Sequence, residues 1–438
     1  MRAQSDRGAN RGSSGSFSVI KSILYASVFV FMCFFSLILY SSDFLSGDVD
    51  IGILDGFYSN EPMASDLLNL PVDVSAASLK TKKRGSEDWE FGLIHYPVKE
   101  AFNGAYPAYD KLQDLIEGWN PDDPRPPRQF TESLQHFNYS NLEERALALE
   151  YRDAEIPFKV YDVPEFAKAG ELWNDAYLSK QLKDKRNQHI EKSKNNHFMY
   201  WSLKNWKNKI ESFVPPTEFV NKEMSFAQWV KLAHKADELA KRNGGKEDTS
   251  ETEHYYFMSN AMPKDRGKTF IARDLPSFSS GDKNFFISRP VANKGIQCRF
   301  GMRGIIAEAH YDSGRNMIAM IHGAKRYILN PPTECSKLDL IKDTDHPSYR
   351  HSTIDWSSIQ EGKKHDFYNV KAIDTIVRQG EVLYVPSFWT HYIISLKYSV
   401  QCNSRSGPPP NGIGADEIES CMGLGGKYTT KKSGLGSY

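Results

Sequence analysis

The chain passes through distinct regimes of hydrophobic patterning. Ile23 to Tyr40 is an uninterrupted apolar run of 18 residues without a charged side chain, long enough for a helix to cross a hydrocarbon core. Residues 41–130 hold no sustained period, and KTKKRGSED at 80–88 and PDDPRPPR at 121–128 are turn-forming, so this stretch predicts an irregular stem that packs in part on the chain beyond it. Helical spacing dominates 131–255. Ser140 and Glu143 read as a capping box ahead of LEERALALEYR, Asp162-Val163-Pro164 opens a helix carrying Phe166, Leu172, Trp173 and Tyr177, and Ser225 with Gln228 caps a further helix that Gly244-Gly245 stops. Pro157 to Tyr161 reads as a short strand between them. From 256 to 410, short runs of Tyr, Phe, Ile and Val separated by Gly, Pro and Ser clusters predict a sandwich or barrel rather than βαβ units. Residues 411–438 read as a flexible tail.

Composition narrows the function. The chain balances 55 Lys and Arg against 55 Asp and Glu, with 40% hydrophobic residues, which excludes disordered, collagenous and polybasic classes and predicts no nucleic-acid partner. Charge is segregated around the apolar run: Arg2, Arg7, Arg11 and Lys21 precede it, and Asp43, Asp48, Asp50 and Asp55 come after. The positive-inside rule then predicts a single-pass type II membrane protein, with residues 1–22 cytosolic, 23–40 as the transmembrane signal-anchor and the remainder in the lumen of the endoplasmic reticulum or Golgi. Cys33 falls in the span, and Cys298, Cys335, Cys402 and Cys421 fall in an oxidising compartment where disulfides are permitted. No CxxC occurs. Asn138-Tyr139-Ser140 is a single glycosylation sequon.

The candidate chemistry lies in two blocks. The first runs from Gly301 through Ala309-His310-Tyr311-Asp312 and Asn316 to Gly323-Ala324-Lys325-Arg326; the second is GEVLYVPSFWTH, Gly380 to His391. His310 and Asp312 are two apart, which on a strand projects an imidazole and a carboxylate from one face. His391 supplies the third donor of a two-His-one-carboxylate set, which leaves positions on a ferrous ion open for substrate and oxygen. Chance alone places roughly one His-x-Asp in a chain of this composition, so the surrounding blocks rather than the tripeptide carry the signal.

At these residues the sequence resembles the JmjC-domain, cupin-like 2-oxoglutarate oxygenases, and in particular the asparaginyl hydroxylase type that acts on hypoxia-inducible factor. The resemblance is specific over Gly301 to Pro332 and Gly380 to Leu396 and looser over about 156–405. It implies a mainly β fold with helical decoration, a double-stranded β-helix (jelly-roll) at 256–410 with a helical part at 131–255 before it. It also implies Fe(II) held by His310, Asp312 and His391, and 2-oxoglutarate beside Lys325, Asn316, Tyr256 and Asn403, with Lys325 and Tyr256 on its distal carboxylate. The implied reaction converts 2-oxoglutarate and O2 to succinate and CO2 while hydroxylating a C–H bond, here on a protein or peptide. Two positions depart from the pattern. Ala307 stands where such hydroxylases place a threonine hydroxyl on the cosubstrate, and Arg405 stands near an aromatic position.

Other readings stay open. A non-catalytic cupin-like binding module fits the same fold. Asp343-Thr344-Asp345 is a D-x-D that, with type II topology, invites a Mn(II)-dependent glycosyltransferase reading. His346, His351 and His365 read as exposed histidines of a polar connection, His322 as a surface or cosubstrate neighbour, Trp389 as packing under His391, and Glu308 as turned by strand alternation to the face opposite the triad.

Overall fold

The computed structural model describes residues 93–95, 107–118, 129–131 and 134–428, apart from 184–187, 208–212, 221–223, 243–252, 266 and 359–364. The expected cytosolic segment 1–22 and anchor 23–40 lie outside the described residues, and among these no helix is long and apolar enough to cross a membrane.

Eight antiparallel strands form the centre: β10 (Ile296–Gly301), β11 (Ile306–Tyr311), β12 (Asn316–His322), β13 (Ala324–Asn330), β14 (Lys371–Arg378), β15 (Val382–Val385), β16 (Thr390–Ser395) and β17 (Ser399–Arg405). They divide into two sheets, ordered β15-β12-β17-β10 and β14-β13-β16-β11. Sequential strands therefore alternate between sheets at most connections, and the first and last strands pair, which is the double-stranded β-helix plan. Edges are covered by further strands, as unpaired edges require. The first sheet is extended by β5 (Phe158–Tyr161) and β4 (His136–Asn138) beyond β15, and by β9 (His254–Ala261), β6 (Gln188–Ser193) and β8 (Glu218–Phe219) beyond β10. The second gains β2 (Asp110–Lys111) beside β14 and β7 (His197–Phe198) beside β11. A separate parallel pair joins β1 (Leu93–His95) and β3 (Gln129–Thr131). Five strands of the expected helical part 131–255 thus belong to the two sheets, because β4, β5, β6, β7 and β8 lend them edge pairing; β2 shows that the stem contributes as well.

Strand alternation sorts the core into three layers. Met317, Ala319, Val382, Tyr384, Val400 and Cys402 face the helices Leu142–Asp153, Pro164–Leu172 and Phe226–Arg242. Ile318, Met320, Leu383, Val385, Tyr327, Leu329, Ile373 and Ile393 fill the space between the sheets. Ile306, Ile328, Ile376, Tyr392 and Ile394 face outward from the second sheet against Trp356, Phe367 and Ile418. At roughly 1.5–3 kcal/mol for each fully buried large apolar side chain, this burial is the main force that closes the barrel.

Local signals land close to their residues. The capping box at Ser225 is present, with Ser225 N–H donating to Gln228 Oε1 at 2.9 Å and Gln228 N–H to Ser225 Oγ at 3.3 Å. The earlier cap moves by one residue: Asn141, not Ser140, accepts from Glu143 and Glu144 N–H. The expected flexible tail is corrected at 411–428, where Ala415–Met422 is a helix packed in the outer core and clipped to the segment Pro332–Lys337 by the Cys335–Cys421 disulfide. A second disulfide joins Cys298 to Cys402, directly opposite on β10 and β17.

Candidate metal and cosubstrate site

His310 on β11 and His391 on β16 are register partners on adjacent antiparallel strands, and Asp312 lies just past the end of β11. Their candidate ligand atoms all lie within 4.8 Å of one another, and among the described residues they are the one group of His, Cys, Asp and Glu side chains arranged to hold a metal ion. Each imidazole is oriented by its own strand. His310 Nδ1–H donates to the Glu308 carbonyl at 2.7 Å and His391 Nδ1–H to the Trp389 carbonyl at 3.0 Å, which leaves both Nε2 lone pairs for a ligand bond. Burial lowers the pKa of both histidines, so the neutral, metal-binding form is the ground state. Burial alone would raise the Asp312 pKa, but the Arg405 guanidinium beside it outweighs burial and holds the carboxyl well below the usual carboxylate range. Arg405 Nη2 approaches Asp312 Oδ2 at 2.5 Å as a close charge contact, and that oxygen accepts no directed hydrogen bond. Two neutral imidazoles and an ionised carboxylate fit a divalent cation such as ferrous iron.

A β-bulge shapes this edge. Register against β16 shifts by one residue between Ala307 and His310, so Ala307 and His310, three apart, both line the cavity while Glu308 does not. Strict alternation would have put Glu308 on the triad's face. It lies away from it because of the bulge, and its carboxylate pairs instead with His197 Nδ1 on β7. His351, expected to be exposed, is buried at 3%; it bridges to His310 across an isolated pairing and stacks on its ring at 4.9 Å. Its sequence neighbourhood is polar, and only this long-range bridge places it at the site. Burial and Arg350 push its pKa down to about 4.

The cavity that these residues line has a volume of about 390 Å³. Tyr256, Asn316 and Asn403 line it, and Asn403 Nδ2 donates to Asn316 Oδ1 at 3.0 Å. Lys325 is wholly buried, and its Nζ donates to the Tyr256 hydroxyl at 3.1 Å; Tyr255 instead turns its hydroxyl to Glu253. Burial, and then Arg299, depress the Lys325 pKa well below the usual lysine value, and burial raises Tyr256 to about 12. A buried amine with a single neutral partner is poorly satisfied, and a carboxylate would complete it. His322 lies outside the cavity lining, bonded to the Trp173 carbonyl. Trp389 packs in the inner core. Asp343 and Asp345 are exposed and form a turn in which Asp345 N–H donates to Asp343 Oδ1, with no partner carboxylate cluster among the described residues.

Two facing antiparallel sheets, with two histidines and an aspartate brought together on adjacent strands, define a jelly-roll protein. The chain belongs to the family of cupin-like domains, whose profile matches residues 145–404. It is similar to tRNA wybutosine-synthesizing protein 5 of Danio rerio, 26% identical over 35% of this chain and 45% of that protein. It is also similar to Lysine-specific demethylase JMJ30 of Arabidopsis thaliana, 30% identical over 24% of each chain, and to JmjC domain-containing protein D of Dictyostelium discoideum, 28% identical over 24% of each. The matched region spans less than half the length of each of these relatives.

Proposed function

We propose that the protein is an Fe(II)- and 2-oxoglutarate-dependent oxygenase that hydroxylates a side chain of a secretory-pathway or membrane protein. The observation that carries this reading is the convergence of His310, Asp312 and His391 on one cavity also lined by Tyr256, whose hydroxyl accepts a hydrogen bond from the buried Lys325. When bound, iron and 2-oxoglutarate supply the oxidising chemistry, in which 2-oxoglutarate and O2 become succinate and CO2 and a C–H bond is hydroxylated. The chain's own residues do the rest. His310, Asp312 and His391 would hold the metal, Lys325 and Tyr256 would draw a carboxylate toward the barrel floor, and Asn316 and Asn403 would fix its flank. The apolar inner layer under Ile318 and Ile393 keeps bulk water from the floor.

The relatives' names point to different substrates, a tRNA base pathway and a lysine demethylation, so the substrate is argued from this chain. Zero net charge favours a protein substrate over nucleic acid. The pairing of all four cysteines beyond residue 33 into two disulfides supports an oxidising compartment, and with the apolar run at 23–40 it supports a type II anchor with this domain in the lumen. One experiment tests both parts. Full-length protein is placed in sealed microsomes, and Fe(II)-dependent succinate formation above a His391→Ala control is measured before and after detergent. Latent activity that detergent releases is expected. Absence of any difference from the control after detergent rejects the oxygenase and leaves the binding module; destruction of the activity by protease acting on intact vesicles rejects the luminal placement.

A further inference from the structure

The cavity holds more positive charge than the metal triad and the Lys325–Tyr256 pair account for. Three arginines line it, Arg299, Arg350 and Arg405, against two carboxylates, Glu191 and Asp312, and Lys325 lies behind Tyr256. Arg405 is committed to Asp312. Arg299 is not committed to any carboxylate among the described residues. It sits on β10 between Met258 of β9 and Gln401 of β17, and alternation turns it inward while Cys298 and Phe300 on either side pack in the layer that faces the helices. Its Nη1 donates weakly to two amide oxygens, Asn403 Oδ1 at 3.2 Å and Gln297 Oε1 at 3.4 Å. Its Nε and Nη2 make no hydrogen bond to described residues, and the guanidinium lies close enough to Lys325, Tyr256 and His391 to bias the charge of all three.

Two further facts bear on this side chain. Ala307, which also lines the cavity, offers no hydroxyl where the resemblance leads one to expect a donor. Lys325 itself does not line the cavity, since Tyr256 stands in front of it. A buried amine beside a guanidinium also loses protonation readily, which lessens what it gives to an incoming anion. Arg299 offers a planar fork that matches a carboxylate with two parallel hydrogen bonds.

We propose that Arg299 is the residue that binds the distal carboxylate of 2-oxoglutarate in this chain, making the contact that Ala307 cannot, with Tyr256 and Lys325 in support. The inference rests on the proposed cosubstrate. It assigns the larger share of the selectivity for a five-carbon diacid over a monoacid to a guanidinium, with the lysine and the hydroxyl secondary.

The test is calorimetric binding to the full-length protein loaded with Mn(II), which is redox-silent, so that no turnover is needed. The titrants are 2-oxoglutarate and 2-oxopentanoate, which lacks the distal carboxylate. Arg299→Gln, which keeps a polar group among the amides, is expected to weaken 2-oxoglutarate binding roughly tenfold to a hundredfold while leaving 2-oxopentanoate and Mn(II) affinity unchanged. Adding Ala307→Thr to Arg299→Gln is expected to recover part of the loss, and Arg299→Lys to fall between. An Arg299→Gln protein that keeps wild-type affinity for 2-oxoglutarate, while Lys325→Met loses it, overturns the role of Arg299 alone. Wild-type protein that binds Mn(II) but not 2-oxoglutarate overturns the cosubstrate reading and this inference with it.

Discussion

His310 and His391 owe their orientation to backbone carbonyls two residues upstream, so their tautomer does not depend on any replaceable side chain. Asp312 depends instead on Arg405, whose guanidinium keeps the carboxylate ionised and also occupies space beside the oxygen a cation would take. Arg405→Met is therefore expected to lower the melting temperature of the metal-free protein, because a buried carboxylate loses its partner, and to enlarge the stabilisation gained on adding Mn(II), because a like charge near the ion is gone. Thermal unfolding with and without Mn(II) measures both; an unchanged metal-induced shift contradicts the competition. At this scale the triad was readable because His310 and Asp312 share a strand face and His391 closes a block with its own pattern. His351 was not, since a polar stretch gives no sign that a bridge to β11 will bury it. Nor was the reason Glu308 turns away: alternation counted in twos fails at a bulge, and the bulge has no glycine to announce it.

Helices and strand edges were read where local chemistry decides them and misread where distant partners do. The helix Pro164–Leu172 starts at its proline, and β5 falls within one residue of the expected strand, because fixed φ and alternation act locally. The ordered helix Ala415–Met422 sits in a glycine-rich segment and is held by contacts with the outer core and Cys335, which a local pattern does not encode. One helix carries a titration of its own. Glu165, in the first turn of Pro164–Leu172, accepts from Ser277 Oγ at 2.8 Å, yet burial raises its pKa to about 7. The folded protein then holds a proton that the unfolded chain releases near pH 4.5, so stability falls as pH rises from there to about 7 and the loss is complete above it. Glu165→Gln is expected to stabilise the protein at pH 8 by about 2 kcal/mol and to change little at pH 5. Thermal unfolding at the two pH values checks it; a lower melting temperature at pH 8 contradicts the burial argument.

For the whole molecule, length and composition bounded the class, and the strand pattern after residue 256 gave the architecture. The partition of the chain came out differently, since edge strands from residues 110 to 219 complete both sheets. Strand pairing across long sequence separations is set by which edge is free, and no run of residues states that. The neutral average charge hid a cavity with a local excess of cations, which is the electrostatic condition a dianionic cosubstrate meets. The central claim is that His310, Asp312 and His391 hold Fe(II) in a cavity that also takes 2-oxoglutarate. An anaerobic titration of the full-length protein with Fe(II) in the presence of 2-oxoglutarate, followed by visible absorption, tests it most directly. One iron per chain is expected, with a charge-transfer band that requires both components and is lost in His391→Ala. A wild-type protein that takes up no stoichiometric iron, or an undiminished band in His391→Ala, contradicts the account.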